Sequence, residues 1–151
     1  MKKLFNYILL FTPFFVFSQS NQNINPNGRT IFYYPNGCEQ YEGDLKDSMK
    51  TGKWIAYYEN GFIYDITEYK KDLKVGKRIE YYPSGKLKKV EYYNEDIIDS
   101  LFFVFFENGN LMHSGNFSNR KGDGLWTDYY ENGNVKKTRT YKMGSLDGAE
   151  I

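Results

Sequence analysis

Cysteine and histidine are nearly missing from this chain: Cys38 and His113 are the only ones in 151 residues. A single thiol excludes an intrachain disulfide, so stability must come from packing. Cys38 reads as a small side chain just after a turn, with no cation cluster beside it to activate a thiolate. Transition-metal sites need several His or Cys ligands, which this inventory cannot supply. A Ser/His/Asp or Cys/His arrangement would have to run through His113, which no supporting motif adjoins. His113 therefore reads as an exposed strand residue. No catalytic, cofactor-binding or metal-ligating residue is expected, and the chain is not expected to be an enzyme. A surplus of one charge is missing too, with 20 basic against 19 acidic side chains. Near neutrality removes the electrostatic case for nucleic acid and disfavours anionic membrane surfaces.

The one long apolar run is N-terminal. Met1-Lys2-Lys3 is a short basic region, Leu4 to Phe17 is mostly apolar, and Val16 and Ser18 suit the −3 and −1 positions of a signal peptidase site. The run is short and interrupted by Asn6 and Thr12-Pro13, which argues against a membrane span. Residues 1–18 are therefore expected to be a signal peptide, with residues 19–27 as a short linker. The protein would be exported, periplasmic or extracellular. Removing residues 1–18 takes Lys2 and Lys3 and no acid, leaving 18 basic against 19 acidic side chains, a balance of −1. No cysteine lies near the cleavage point, so a lipid anchor is not indicated.

What is abundant is aromatic: 15 Tyr and 12 Phe, a bias that favours half-buried pleated surface. These residues recur. YYPNG begins at Tyr33, YYENG at Tyr57, YYPSG at Tyr81, FFENG at Phe105 and YYENG at Tyr129, each start 24 residues after the last. Twelve residues after each first aromatic stand Leu45, Tyr69, Tyr93, Phe117 and Tyr141; nineteen after, Gly52, Gly76, Ser100, Gly124 and Gly148. Two further on, Trp54, Arg78, Phe102 and Trp126 open the next aromatic strand, and Gly28 extends the glycine column backwards.

The punctuation predicts hairpins. Pro35 and Pro83 suit position i+1 of a type I turn, and the glycine after it suits the left-handed residue of a G1 bulge. Asn36, Gly37, Asn60, Gly61, Gly85, Asn108, Gly109, Asn132 and Gly133 are the structural turn residues. The glycine nineteen residues along is read as a second, looser turn. With a three-residue loop, the first aromatic and the residue six later share one face, and the second aromatic shares the other with the Trp column. The expected fold is all-β: five 24-residue hairpins over residues 28–151, joined as an elongated, twisted, largely single-layer antiparallel meander.

The stretch from Gly52-Lys53-Trp54 through Gly61-Phe62-Ile63, repeated from Gly124 through Val135, resembles the MORN repeat in its bacterial variant. Ser100 and Arg78 depart from its Gly and Trp. The resemblance implies binding to membrane lipids or proteins, and it extends to bacterial proteins described as antitoxin-like.

Polar clusters read as turns. Glu95-Asp96 with Asp99 lacks the glycine-punctuated spacing of a calcium loop, and Asn119 to Gly124 has no strand-to-helix context for holding phosphate. Lys86, Lys88, Lys89, Lys136, Lys137 and Arg139 read as solubility and edge-guarding charges. Leu101 to Phe106 is six apolar residues in a row, greasy on both faces and suited to a partner or a second copy. Leu101, Phe103 and Phe105, with Tyr57, Tyr81 and Tyr129, are the candidate partner-binding residues. The expected role is a non-enzymatic, protein-binding or scaffold module. The alternatives are an antitoxin or immunity-like protein facing a cognate toxin and, below that, a lipid or cell-surface binder.

Overall fold

The computed structural model describes residues 24–148, so the signal-peptide reading lies outside the described residues. Thirteen strands form one antiparallel sheet. They are β1 (Gly28–Tyr33), β2 (Glu39–Lys46), β3 (Met49–Tyr57), β4 (Ile63–Lys70), β5 (Leu73–Tyr81) and β6 (Leu87–Asn94). Then come β7 (Ile97–Ile98), β8 (Ser100–Phe105), β9 (Leu111–Ser118), β10 (Lys121–Gly122), β11 (Gly124–Tyr129), β12 (Val135–Lys142) and β13 (Ser145–Leu146). Neighbours in the sheet are neighbours in sequence, apart from the short β7 and β10, which pair with β6 and β9 beside the main path. No helix is present among the described residues.

The aromatic-Asn-Gly loops close as their chemistry predicts. In the first, Gly37 N–H donates to the Tyr34 carbonyl at 2.9 Å and Tyr34 N–H to the Cys38 carbonyl at 2.7 Å. Gly37 has φ of 86°, the left-handed value a G1 bulge needs, and Asn36 Oδ1 accepts from Cys38 N–H. The same bonds recur at Gly61, Gly85, Gly109 and Gly133.

The second turn is not where the glycine column suggested. It lies at Asp47-Ser48, Lys71-Asp72, Glu95-Asp96, Asn119-Arg120 and Met143-Gly144, and both residues of each pair have positive φ. Positive φ at both central positions is the signature of a two-residue type I′ hairpin, whose twist matches that of its strands. In the column, Gly52 and Gly76 sit inside β3 and β5 instead, and Ser100 and Gly124 open β8 and β11. At Gly52 the register against β2 slips, so that Glu42 faces Ile55 while Asp44 faces Thr51. Ser100 keeps the left-handed conformation there, with φ of 82°. The backbone conformation of the column is thus kept where serine stands in place of glycine.

Successive units are tied at both ends of their strands. Tyr34, Tyr58 and Tyr82 hydroxyls donate to the carbonyls of Tyr57, Tyr81 and Phe105, one unit ahead, at 2.7–2.9 Å. At the opposite end, N–H groups of Asp72, Asp96, Arg120 and Gly144 donate to the carbonyls of Lys50, Lys74, Ile98 and Gly122. Pro26 accepts from Ser48 in the same way. A single-layer sheet has few buried apolar side chains: Leu45, Trp54 and Val90 are the ones among the described residues.

Candidate functional site

Residues directly opposite on neighbouring strands share a face. One row therefore runs Ile55, Ile66, Ile79, Val90 and Phe103 across β3, β4, β5, β6 and β8. It is unbroken and apolar. Glu42 ends it on one side and Ser114 on the other, followed by Thr127 and Thr138. By strand alternation, Leu101 and Phe105 flank Phe103 on this face, and Tyr57, Tyr81 and Tyr129 occupy the position that Phe105 holds in its unit. The structure thus collects all six candidate partner-binding residues on one face. Leu101 is half exposed, and the other five are intermediate. Tyr57 donates its hydroxyl to Glu42 at 2.8 Å. Burial, followed by that carboxylate, pushes its pKa up to about 12.

The opposite face carries chemistry that the repeat pattern did not announce. Trp54 lies over Gly43 of β2, so close that a Cβ added there would come within 2.4 Å of the indole. Trp126 lies over Gly115 in the same way, at 2.3 Å. Each indole N–H donates to a strand carbonyl, of Asp44 and Asn116 respectively, at 3.1 Å. The signal was present in the sequence: each Trp follows its glycine by eleven residues.

Where the intervening unit has Arg78 in place of Trp, the contact becomes ionic. Arg78 reaches Asp65 at 2.6 Å, Glu91 at 2.8 Å and Glu80 at 3.4 Å. Lys88 meets Glu80 at 2.6 Å, and Lys89 bridges Glu80 and Glu91 at 3.3 Å. Burial works against the Arg78 charge, but Asp65, Glu91 and Glu80 outweigh it and hold its pKa above the ordinary value. Burial likewise opposes ionisation of Glu80, yet Lys88 and Lys89 keep its pKa below the usual carboxylate range. Lys88 and Lys89 are therefore partners within a cluster rather than free surface charges.

An open cavity of about 430 Å³ sits beside Trp126, with Phe102, Phe117 and Tyr141 around it. Phe117 and Tyr141 stand at 83° and 82° to the indole plane, with ring centroids 4.9 and 6.2 Å from it. Phe102 is tilted at 5.6 Å. Asp128 accepts from His113 at 2.7 Å and also pairs with Arg139. Burial opposes its ionisation, but those two partners lower its pKa. His113, read as a plain exposed strand residue, is half exposed and belongs to this rim. Arg139 likewise turns out to be paired with Asp128.

The repeat chemistry and the hairpin geometry agree with a family comparison. A model of the MORN repeat variant matches residues 50–71, 74–95 and 122–143. The chain thus carries MORN-variant repeats at three places, each spanning one three-residue-loop hairpin. The hairpin β8–β9 falls outside the matched residues, yet its register and loop are those of the others. No curated protein matches the chain.

Proposed function

We propose that this chain is an exported, non-enzymatic scaffold that holds a protein partner on the apolar sheet face. The row Ile55, Ile66, Ile79, Val90 and Phe103 carries this reading, because the described residues form a single-layer sheet with no second layer among them to cover it. MORN repeats generally form binding modules rather than enzymes, in keeping with that face. Leu101, Phe103, Phe105, Tyr57, Tyr81 and Tyr129 supply aromatic and aliphatic anchors of the kind that dominate protein interfaces. Export is inferred from the basic, apolar and small-residue order of Met1 to Ser18.

The test is retention of a defined partner. The tagged full chain, purified from its native source, should keep one stoichiometric protein through size-exclusion chromatography. Phe103→Ser with Phe105→Ser should weaken that complex at least about tenfold, on the scale of a hot-spot loss. Leu101→Ser, at a half-exposed position, should weaken it less while leaving the melting temperature in place. Undiminished binding by the folded variants would sink the proposal.

A further inference from the structure

The two tryptophan sites repeat each other 72 residues apart, and one difference between them is chemical. In the first, the Lys50 ammonium lies 4.6 Å from the centre of the Trp54 ring and 5.0 Å from that of Tyr69. This is cation–π distance to two rings at once. In the second, Trp126 and Tyr141 stand at the matching positions, but the residue matching Lys50 is Gly122. Phe117 replaces Leu45, and Phe102 replaces Thr30. The first site has Phe32 at 6.5 Å from the Trp54 ring besides Tyr69. The second, with no lysine over its indole, sets three rings around Trp126, those of Phe102, Phe117 and Tyr141, and these line the 430 Å³ cavity. Arg139 is held by Asp128, so that pair adds no net positive charge to oppose an incoming cation.

We infer that the Trp126 site takes the ammonium end of a lysine side chain from another protein, in the place that Lys50 fills internally beside Trp54. The indole forms the floor, Phe117 and Tyr141 the walls, and Gly122 the doorway. This site lies on the face opposite the Ile55–Phe103 row and stands or falls independently of it.

Trp54→Phe leaves Trp126 as the sole indole of the full chain, so its fluorescence reports the site. N-acetyl-lysine methylamide should change that fluorescence saturably, at about tenfold lower concentration than its neutral analogue N-acetyl-norleucine methylamide. Gly122→Lys should abolish the response by supplying the ammonium internally. Gly122→Ala, whose Cβ comes 3.2 Å from the Trp126 indole nitrogen and shifts the ring slightly without supplying an ammonium, should retain it. Equal responses to the lysine and norleucine probes would overturn the inference, as would full binding by Gly122→Lys. Saturation by choline with no response to the lysine probe would assign the site to lipid headgroups and overturn a protein source.

Discussion

The Trp54 and Arg78 units are built on the same backbone and hold their neighbours by opposite means. Both residues occupy the third position before the first aromatic, and both reach back over the preceding strand. Trp54 meets a glycine there and lies flat on it. Arg78 faces Thr67, which already carries a Cβ, and so extends into carboxylates instead. Thr67 is 2 % exposed, because it pairs with Trp54 on one side and Arg78 on the other. The repeat therefore fixes a position and a direction, while the cross-strand residue eleven places earlier decides which side chain can use them.

That dependence can be broken by exchange. Arg78→Trp alone should destabilise the chain by roughly 2–4 kcal/mol, since it leaves Glu80, Glu91 and Asp65 without their arginine and crowds Thr67. Adding Thr67→Gly should recover a large part of that loss, with a coupling of about 1–3 kcal/mol in a denaturation double-mutant cycle. Additive costs would mean that the glycine is incidental to the tryptophan.

Acid should separate the two units next. Glu80 takes up a proton less readily in the folded chain than its ordinary value implies, so its contribution is complete above the usual carboxylate range. It is then lost as pH falls through the depressed folded pKa. The Trp54–Gly43 contact contains no titrating group. Hydrogen exchange at neutral pH and near pH 3 should show β5 and β6 losing more protection than β2 and β3. A parallel loss along the sheet would contradict the ionic account.

The smallest effect belongs to Phe106, which stands where Tyr34, Tyr58 and Tyr82 donate to the next unit. Phe106→Tyr should supply the missing bond to the Tyr129 carbonyl and stabilise the chain by about 0.5–1 kcal/mol, read as a rise in melting temperature. No rise would show that the hydroxyls are passengers.

Much of this fold was legible because its determinants are local. The 24-residue period, the Asn-Gly loops and the division of aromatics between faces follow from turn residues and a period of two. The type I′ turns were not, since Asp47-Ser48, Lys71-Asp72 and Asn119-Arg120 lack the Asn-Gly signature and the conspicuous glycine column drew the turn to itself. The aromatic cavity was hidden for another reason. Trp126, Phe117 and Tyr141 come together only through cross-strand register, and Gly122 matters for the lysine it replaces. Arg78 looked like a lapse in the motif and is the hub of an ion cluster.

The missing hydroxyl at Phe106 also bears on how the sheet would fail under load. A linear array distributes tension through its junctions in series, so it parts where the joint is thinnest. Between β9 and β11 the register is held by Thr127 opposite Ser114 and Asp128 opposite His113. Beside them stand the Tyr129–Ser114 hydroxyl pair, the Trp126 indole bond to Asn116 and the Asn108 and Asn110 amides on the Glu131 carbonyl; the strut from position 106 is what this junction lacks. Pulled along its length, the molecule would load that junction through asparagine, tryptophan and serine contacts, where the three before it also share the load with a tyrosine hydroxyl on the next unit's carbonyl.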